Sequence, residues 1–385
     1  MLLPSVLRVK LQPDEVQSDM MYSVLRFILL FILCMNCAPV LAQERSGNLS
    51  LAARLQSLIS TRYQSTGCPG LSVAVASRNK IIFSQAFGFA DLEQGVRLTT
   101  RNIHRVASLS KPVTGTIIME LVQQKRLSVD SSIRSYLPEL PEAYQGVTIR
   151  HLLTHQSGAR GYRNVEDVAF SVTHYKTTRE AIKAFADDPL LFVPGSKTEY
   201  SSYGFALLGA AAEAVTGRTF QELSADFFLR HGISGFSLDD PLVLVPNRVR
   251  GYRIDDKGKL WNARVYDISI RYPSGGFVAS AEDYLRFVIL VSSGQVVASD
   301  TVQVMWTAQK LSNGSATPFG LGWGVGELRG SRMVGHNGLL PGSTTFVRFF
   351  PDDGVGVVLA CNAEGARDLN KLLDSILDIA LPAKN

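Results

Sequence analysis

The stretch Thr344-Thr345-Phe346-Val347-Arg348-Phe349-Phe350-Pro351-Asp352-Asp353-Gly354-Val355-Gly356-Val357-Val358-Leu359-Ala360-Cys361 holds two β-rich runs on either side of a Pro-Asp-Asp-Gly turn. That is the composition of a β-hairpin. A second hairpin is written near the other end, where two β-rich runs within 71–87 are joined by Ser77-Arg78-Asn79-Lys80. Outside each hairpin, apolar residues recur at helical spacing: Leu51, Leu55, Leu58 and Ile59 at one end, and Leu369, Leu372, Leu373, Ile376 and Ile379 at the other. Between them, from about Pro112 to Leu229, the pattern predicts mainly helix, over 113–127, 149–155, 178–186 and 203–215, the last stopped by Gly217. Strands from both ends that bracket helices imply an α+β fold. One antiparallel sheet is assembled from the two termini and flanked by the terminal helices, with a mainly helical subdomain inserted. No internal repeat or linker interrupts this plan, so residues 43–385 read as a single domain.

With 46% hydrophobic and 19% charged residues and 32 glycines, the 385-residue chain can bury a large core. Its net charge of +5 is dispersed, with no run of basic residues that would serve nucleic acid. Residues 1–42 read as a secretory signal. An apolar run over 27–33 follows Arg26, and Val40-Leu41-Ala42 supplies the small residues at the cleavage point. Lys10, Asp14 and Glu15 precede a second start at Met20 or Met21. The run is shorter than the roughly 20 residues that span a bilayer, so a membrane partner is expected only if the signal stays uncleaved. The expected location is secreted or periplasmic. Cys34 and Cys37 belong to the signal, which leaves Cys68 and Cys361 in the mature chain. Each borders a strand, so antiparallel neighbours would bring them within disulfide reach; two buried thiols are the alternative.

The spacing Ser-x-x-Lys occurs at Ser77/Lys80 and at Ser108/Lys111. The first falls in a hairpin turn, where side chains three apart are expected to have no fixed relation. The second opens a helix, with Pro112 in its first turn and Val113, Ile117 and Leu121 following, so Ser108 and Lys111 share one face. Backbone N–H groups and partial positive charge at a helix start favour an oxyanion forming there. A serine hydroxyl needs a base, and a lysine qualifies when burial makes it neutral. Ser108 as a simple helix cap is the other reading of the same residues. There is no Gly-x-Ser-x-Gly elbow and no His-Glu-x-x-His, since His151 and His155 enclose Leu152-Leu153-Thr154. With no carboxylate nearby in sequence these histidines read as structural. The glycines over 320–326 come with no phosphate-loop lysine and read as strand or turn. No cofactor and no metal are implied.

Several ordered motifs resemble one known family. They are Val106-Ala107-Ser108-Leu109-Ser110-Lys111, His151-Leu152-Leu153-Thr154-His155-Gln156-Ser157-Gly158, Pro194-Gly195 leading to Tyr200-Ser201-Ser202-Tyr203-Gly204, Gly320-Leu321-Gly322-Trp323, and Gly335-His336-Asn337-Gly338-Leu339-Leu340-Pro341-Gly342. Over about residues 50–382 the chain is similar to the penicillin-recognising serine hydrolases of the class C β-lactamase and D-alanyl-D-alanine carboxypeptidase type. The resemblance implies Ser108 as acylated nucleophile, Lys111 as its proton acceptor or electrostatic partner, and Tyr200 as proton relay, held beside Lys111 and His336 as cations. It implies that the backbone N–H groups of Ser108 and Leu339 form an oxyanion hole. Ser202, His336, Asn337 and Gly338 would contact substrate, with His336 meeting a carboxylate and Gly338 letting substrate lie along its strand.

Two departures bear on the substrate. The family's Tyr-x-Asn is here Tyr200-Ser201-Ser202, and the lysine usual before x-Gly in β-lactamases is His336. Ser202 is too short to offer an amide donor and acceptor at the same reach, which counts against recognition of a substrate amide, and His336, typical of carboxypeptidase-like and esterase-like members, counts against efficient β-lactam turnover. The expected substrate is a D-amino-acid peptide or a small ester or amide, with a β-lactam as the remaining reading. A non-catalytic binding or scaffold member of the same fold is the alternative that Ser202 raises.

Overall fold

Both terminal hairpins form, and the first strand of one pairs with the last strand of the other. The computed structural model describes residues 49–162 and 172–381. The signal expected over 1–42 lies outside the described residues. The chain divides into two units, Met1–Ala53 and Arg54–Asn385, and the second holds the sheet and the candidate site. In chain order the principal elements are helix α1 (Leu51–Arg62), strands β1 (Gly70–Ser77), β2 (Lys80–Asp91) and β3 (Val96–Arg97), and helices α2 (Ser110–Gln123), α3 (Ser202–Thr216), α4 (Phe220–Arg230) and α5 (Ala281–Ser292). Strands β4 (Gly324–Leu328), β5 (Ser331–Leu340), β6 (Ser343–Phe350) and β7 (Val355–Cys361) follow, and helix α6 (Leu369–Ala380) ends the series. The strands form one antiparallel sheet in the order β3-β2-β1-β7-β6-β5-β4.

The two ends of the chain meet at the centre of this sheet, with β1 and β7 in register from Leu71↔Cys361 to Ala76↔Gly356. Only Ser77 of these two strands is not fully buried, which is what a near-continuous run of Val, Ala and Leu provides when both faces are covered. Ala74, Ala76, Val358 and Ala360 join the main core with α2, α3 and α5. The alternate residues Val73, Val75, Val357 and Leu359 point to the opposite face, and α6 packs on β7. Each fully buried Val or Leu contributes roughly 1.5–3 kcal/mol of transfer free energy. Cys68 and Cys361 are joined in a disulfide, Cα–Cα 5.8 Å, at the end of the β1/β7 pairing.

The structure departs from the sequence reading at several turns. The tight hairpin places Ser77 opposite Lys80 as register partners, so this first Ser-x-x-Lys pair does have a fixed relation. Arg78 and Asn79 both take positive φ, as a type I′ turn requires, which seats the pair on adjacent strands. Helix α2 stops at Gln123 rather than 127, because Lys125 turns left-handed and the amides of Arg126 and Leu127 fold back on the Leu121 carbonyl. The segment beginning at Ile149 is helical only to Leu153, with His155 at φ +58°. The segment from Thr178 tightens to a 3₁₀ turn after Ala181.

Helix α2 is buried over most of its length. Gly115 on α2 and Gly322 in the loop before β4 meet backbone to backbone; a Cβ on Gly115 would stand 2.9 Å from the Gly322 Cα. Phe319, in the same loop, packs edge-on against the His155 ring at 4.6 Å.

Candidate active site

Three chain reversals converge where α2 and α3 begin. The first is the turn Val106–Ser110, in which Ala107 takes φ +51° and a 3₁₀ turn over Ala107–Leu109 leads into α2. A left-handed alanine costs about 1–3 kcal/mol, which the surrounding packing must offset. The turn is fixed from the sheet, since Thr345 donates to the Val106 carbonyl at 2.8 Å, and from the core, where Tyr284 donates to the Leu109 carbonyl at 2.7 Å. Ser108 makes no capping bond to the helix, so its hydroxyl is left to the pocket.

The second reversal is Tyr200-Ser201-Ser202 at the head of α3. Ser201 caps the helix by accepting from Gly204 N–H and donates to the Arg160 carbonyl. His155 fixes the same turn, its Nδ1 accepting from Ser201 N–H at 3.1 Å and its ring lying 4.4 Å from the Tyr200 ring. The left-handed His155 is therefore a positioning residue beneath Tyr200. Burial first, then Lys111 and His336, hold its pKa well below the usual histidine value. The third reversal, Tyr272–Gly275, brings in the Ser274 carbonyl.

Lys111 stands where the three meet, and it is fully buried. Its Nζ donates to the Ser274 carbonyl at 2.9 Å and lies 3.1 Å from Ser202 Oγ and 3.2 Å from Ser108 Oγ. Burial, and then the Arg271 guanidinium, push its pKa well below the ordinary lysine value. The lowered pKa favours the neutral amine, the form that can take the proton of the Ser108 hydroxyl 3.2 Å away.

Tyr200 differs from what the resemblance implies. The residue is 43% exposed to the cavity, yet desolvation of its hydroxyl raises its pKa well above the ordinary tyrosine value, with Ser108 pulling weakly the other way. Lys111 stacks over its ring, 4.7 Å from the centroid. Tyr200 therefore keeps its proton at neutral pH.

His336 also differs. Its Nδ1 lies 2.6 Å from the Asn337 carbonyl and so carries the hydrogen, while burial and Lys111 lower its pKa to about 3. A pKa lowered in this way favours the neutral imidazole, which would neither lower the Tyr200 pKa nor draw a carboxylate by charge.

A cavity of about 790 Å³ opens above this centre, lined by Ser108, Tyr200, Ser202, His336, Gly338 and Leu339 among others. Beyond Gly335, β5 has no strand partner on its outer side among the described residues, because β4 pairs only with 331–335. Its free edge thus runs past Ser108. Alternation along β5 puts His336 and Gly338 on the side of the helices and Asn337 and Leu339 on the other. Asn337 is turned away from Ser108 and accepts from Arg348 at 2.7 Å. The Leu339 side chain is 65% exposed, so its backbone alone bears on the site.

Gly338 also serves the packing of the nucleophile turn. A Cβ there would meet Thr345 Oγ1 at 2.2 Å, the Val106 carbonyl at 2.7 Å and Ala107 Cβ at 3.0 Å. The missing side chain makes room for the nucleophile turn. Gly338→Ala is expected to drive β5 off that turn, cutting ester hydrolysis about 100-fold, the scale of a 1 Å misplacement, and lowering the melting temperature. Near-native activity in the variant, measured beside its thermal melt, would dispose of this account.

Sequence reasoning missed Ser274, Phe205, Arg271 and the ring contact of His155, because nothing in a linear motif shows which carbonyl or ring closes over a buried amine. Among the described residues no three His, Cys, Asp or Glu side chains converge as metal ligands.

A family model for Beta-lactamase matches residues 55–381, and the chain belongs to that family. Among curated relatives, the mitochondrial serine beta-lactamase-like protein LACTB of Homo sapiens is 25% identical over 74% of this chain and 70% of its own. Penicillin-binding protein 4* of Bacillus subtilis is 25% identical over 76% of this chain and 68% of its own. The fold matches that of D-amino acid amidase from Ochrobactrum anthropi SV3 complexed with L-phenylalanine amide, with TM-score 0.75 and 21% identity over 86% of this chain and 98% of that one. It also matches penicillin binding protein from Bacillus halodurans, with TM-score 0.69 and 24% identity over 84% and 98%.

Proposed function

We propose that this protein is an exported serine hydrolase that works through an acyl-enzyme on Ser108, with a D-amino-acid peptide, amide or small ester as substrate. The observation that carries the reading is a buried Lys111 whose depressed pKa leaves a neutral amine 3.2 Å from the Ser108 hydroxyl. Ser108 Oγ attacks the substrate carbonyl as its proton passes to Lys111 Nζ. The oxyanion that forms is received by the backbone N–H groups of Ser108 and Leu339, aided by the positive ends of α2 and α3. The C–O or C–N bond then breaks, and the leaving group takes a proton from the Tyr200 hydroxyl, which the Lys111 ammonium replenishes. Water reverses these transfers and frees the acid, restoring Ser108. Metal-free and cofactor-free chemistry of this kind needs nothing beyond the residues present.

Export draws support from the disulfide between Cys68 and Cys361, which persists in oxidising compartments. The ester reading draws support from Ser202. Its hydroxyl is engaged by Lys111 and is too short to offer the paired amide contacts of an asparagine. The test is intact mass after exposure to a panel: benzylpenicillin, a D-phenylalanine amide and 4-nitrophenyl acetate. Turnover of the amide or the ester without a persistent penicilloyl adduct is expected. A lasting adduct would make the protein a penicillin-binding protein, and silence toward all three would end the hydrolase reading.

A further inference from the structure

The two most exposed large apolar side chains among the described residues, Leu244 at 96% and Val265 at 92%, lie on one segment, and Leu242 at 76% stands beside the first. The loop that presents the leucines is built rather than slack. Pro241 and Pro246 bracket it, and the Asp240 side chain accepts from Leu242 N–H at 2.8 Å. Arg248 fastens it from within, donating to the Val243 carbonyl at 2.7 Å and to the buried Asp239 carboxylate at 2.9 Å. Asp239 is held in turn by Arg105. Apolar tips on a tethered backbone lose little further freedom when a partner covers them. Arg248 and Val265 line one cavity of about 280 Å³ with Arg250, Asn262 and Arg264, which sets Val265 beside the base of the loop.

Charge on the same segment is one-sided. Residues 241–265 hold six basic side chains, Arg248, Arg250, Arg253, Lys257, Lys259 and Arg264, against Asp255 and Asp256, a net of +4 in a chain whose total is +5. Part of it is answered close by: Arg248 pairs with Asp239, Arg250 with Glu93 at 2.7 Å, and Glu364 bears on Arg253 and Arg264 through space. Lys257 and Lys259 are exposed, and the Lys259 ammonium lies 3.9 Å over the half-exposed Trp261 ring. Leucine tips, a tryptophan and long cationic side chains together are what a lipid–water interface selects, the apolar groups entering and the cations staying with the headgroups.

We propose that the loop 241–246 and the neighbouring Arg264 and Val265 form a docking surface for an anionic phospholipid bilayer. Leu242, Leu244 and Val265 enter the boundary between headgroups and acyl chains, and Arg264 meets the headgroup phosphates. The contact is peripheral, since among the described residues no helix is long and apolar enough to cross a membrane. It needs neither the apolar run over 27–33 nor the hydrolase reading. The base of the loop is nevertheless tied to both walls of the candidate site. Asp239 N–H donates to the Gly276 carbonyl at 2.7 Å, just after the reversal that supplies Ser274, and Arg105 donates to the Pro341 carbonyl at 3.2 Å, just past the end of β5.

Vesicle cosedimentation of the protein as exported tests this. Vesicles of phosphatidylcholine with about 30 mol% phosphatidylglycerol should bind it at least about tenfold more tightly than phosphatidylcholine alone, a difference that about 0.5 M salt largely removes. Leu242→Ser/Leu244→Ser should lower affinity for the mixed vesicles at least about tenfold, and Arg264→Gln about fivefold. Melting temperatures should stay where they are, because these side chains are exposed. Leu244→Trp ties the contact to the loop: the emission it adds should shift to the blue on the mixed vesicles and be quenched by brominated acyl chains. Equal affinity for the two kinds of vesicle, equal binding by the native and double-serine proteins, or added emission that neither shifts nor is quenched would overturn the proposal. So would a native dimer in sedimentation equilibrium that the double-serine variant turns into a monomer, since the surface would then be a subunit interface. Every readout is independent of hydrolysis, so failure here leaves the reading of Ser108 standing, and an inert Ser108 leaves this one.

Discussion

Ser108→Ala abolishes covalent labelling by a fluorophosphonate and lowers ester or amide hydrolysis by at least about 10⁴-fold, the scale on which loss of a nucleophile acts in serine hydrolases. Nothing nearby can substitute. Ser202 Oγ already accepts from Lys111 at the head of α3, and Ser110 is buried, with its hydroxyl accepting from Phe277 N–H at 3.0 Å. The variant should fold as well as the parent, within about 1 kcal/mol, because Lys111 keeps Ser202 and the Ser274 carbonyl and the strained backbone at Ala107 is untouched. Intact mass and steady-state rates on one preparation check both halves of the claim. A variant that still acquires the mass adduct would place the nucleophile elsewhere. A variant that loses catalysis yet supports the same growth or survival as the native protein would favour the binding or scaffold role that Ser202 raises.

The fold was legible in the sequence because its two decisive hairpins are written in local terms: β-rich runs, a Pro-Asp-Asp-Gly turn, and helical spacing in the flanking segments. That β1 and β7 share the sheet's centre follows from burying both faces of two apolar strands. The nucleophile's surroundings were legible only in part. Ser108, Lys111 and Tyr200 could be read from ordered motifs, and the structure brings them together around one buried amine. Their charge states could not, since protonation depends on what encloses a group in space. His336 stands in a motif position where a cation would be expected, but its ring is desolvated and donates to its own neighbour's carbonyl, so it is neutral. The packing role of Gly338 was hidden for a related reason: a glycine in a strand signals a close approach without saying from which face. Arg348 belongs to the same hairpin that reveals the fold, and there it reads as an ordinary solvent-facing position. Only the end of β4 at residue 335 opens the edge beyond it and turns that position into a cavity wall.

Lys111 offers the sharper mechanistic test, because the same residue can serve as a base or as a fixed cation, and the two roles answer differently to substitution. As a base it must be neutral when substrate arrives. Activity should therefore rise with pH through the depressed pKa of Lys111 and reach a plateau well below the ordinary lysine value. No fall from Tyr200 should follow on the alkaline side within the ordinary tyrosine range, since its pKa is raised. Lys111→Met removes the proton acceptor and should cost about 10³–10⁴-fold in kcat/KM, and with it the acidic limb of the profile. Lys111→Arg should be no better, because guanidinium stays protonated at any working pH. Substantial activity in the arginine variant would show that positive charge, not proton transfer, is what the site requires. Stability supplies an independent reading with the sign fixed by linkage. Between the depressed native pKa and the ordinary value near 10.4, the unfolded chain holds more protons than the native one, so native stability rises with pH through that window and is lost as pH falls through the native pKa. Lys111→Met lacks this dependence, so its melting temperature should gain on the native protein's as pH falls, even while its activity is gone. Parallel melting curves for the two proteins across that window would mean that Lys111 is not the neutral amine its burial implies.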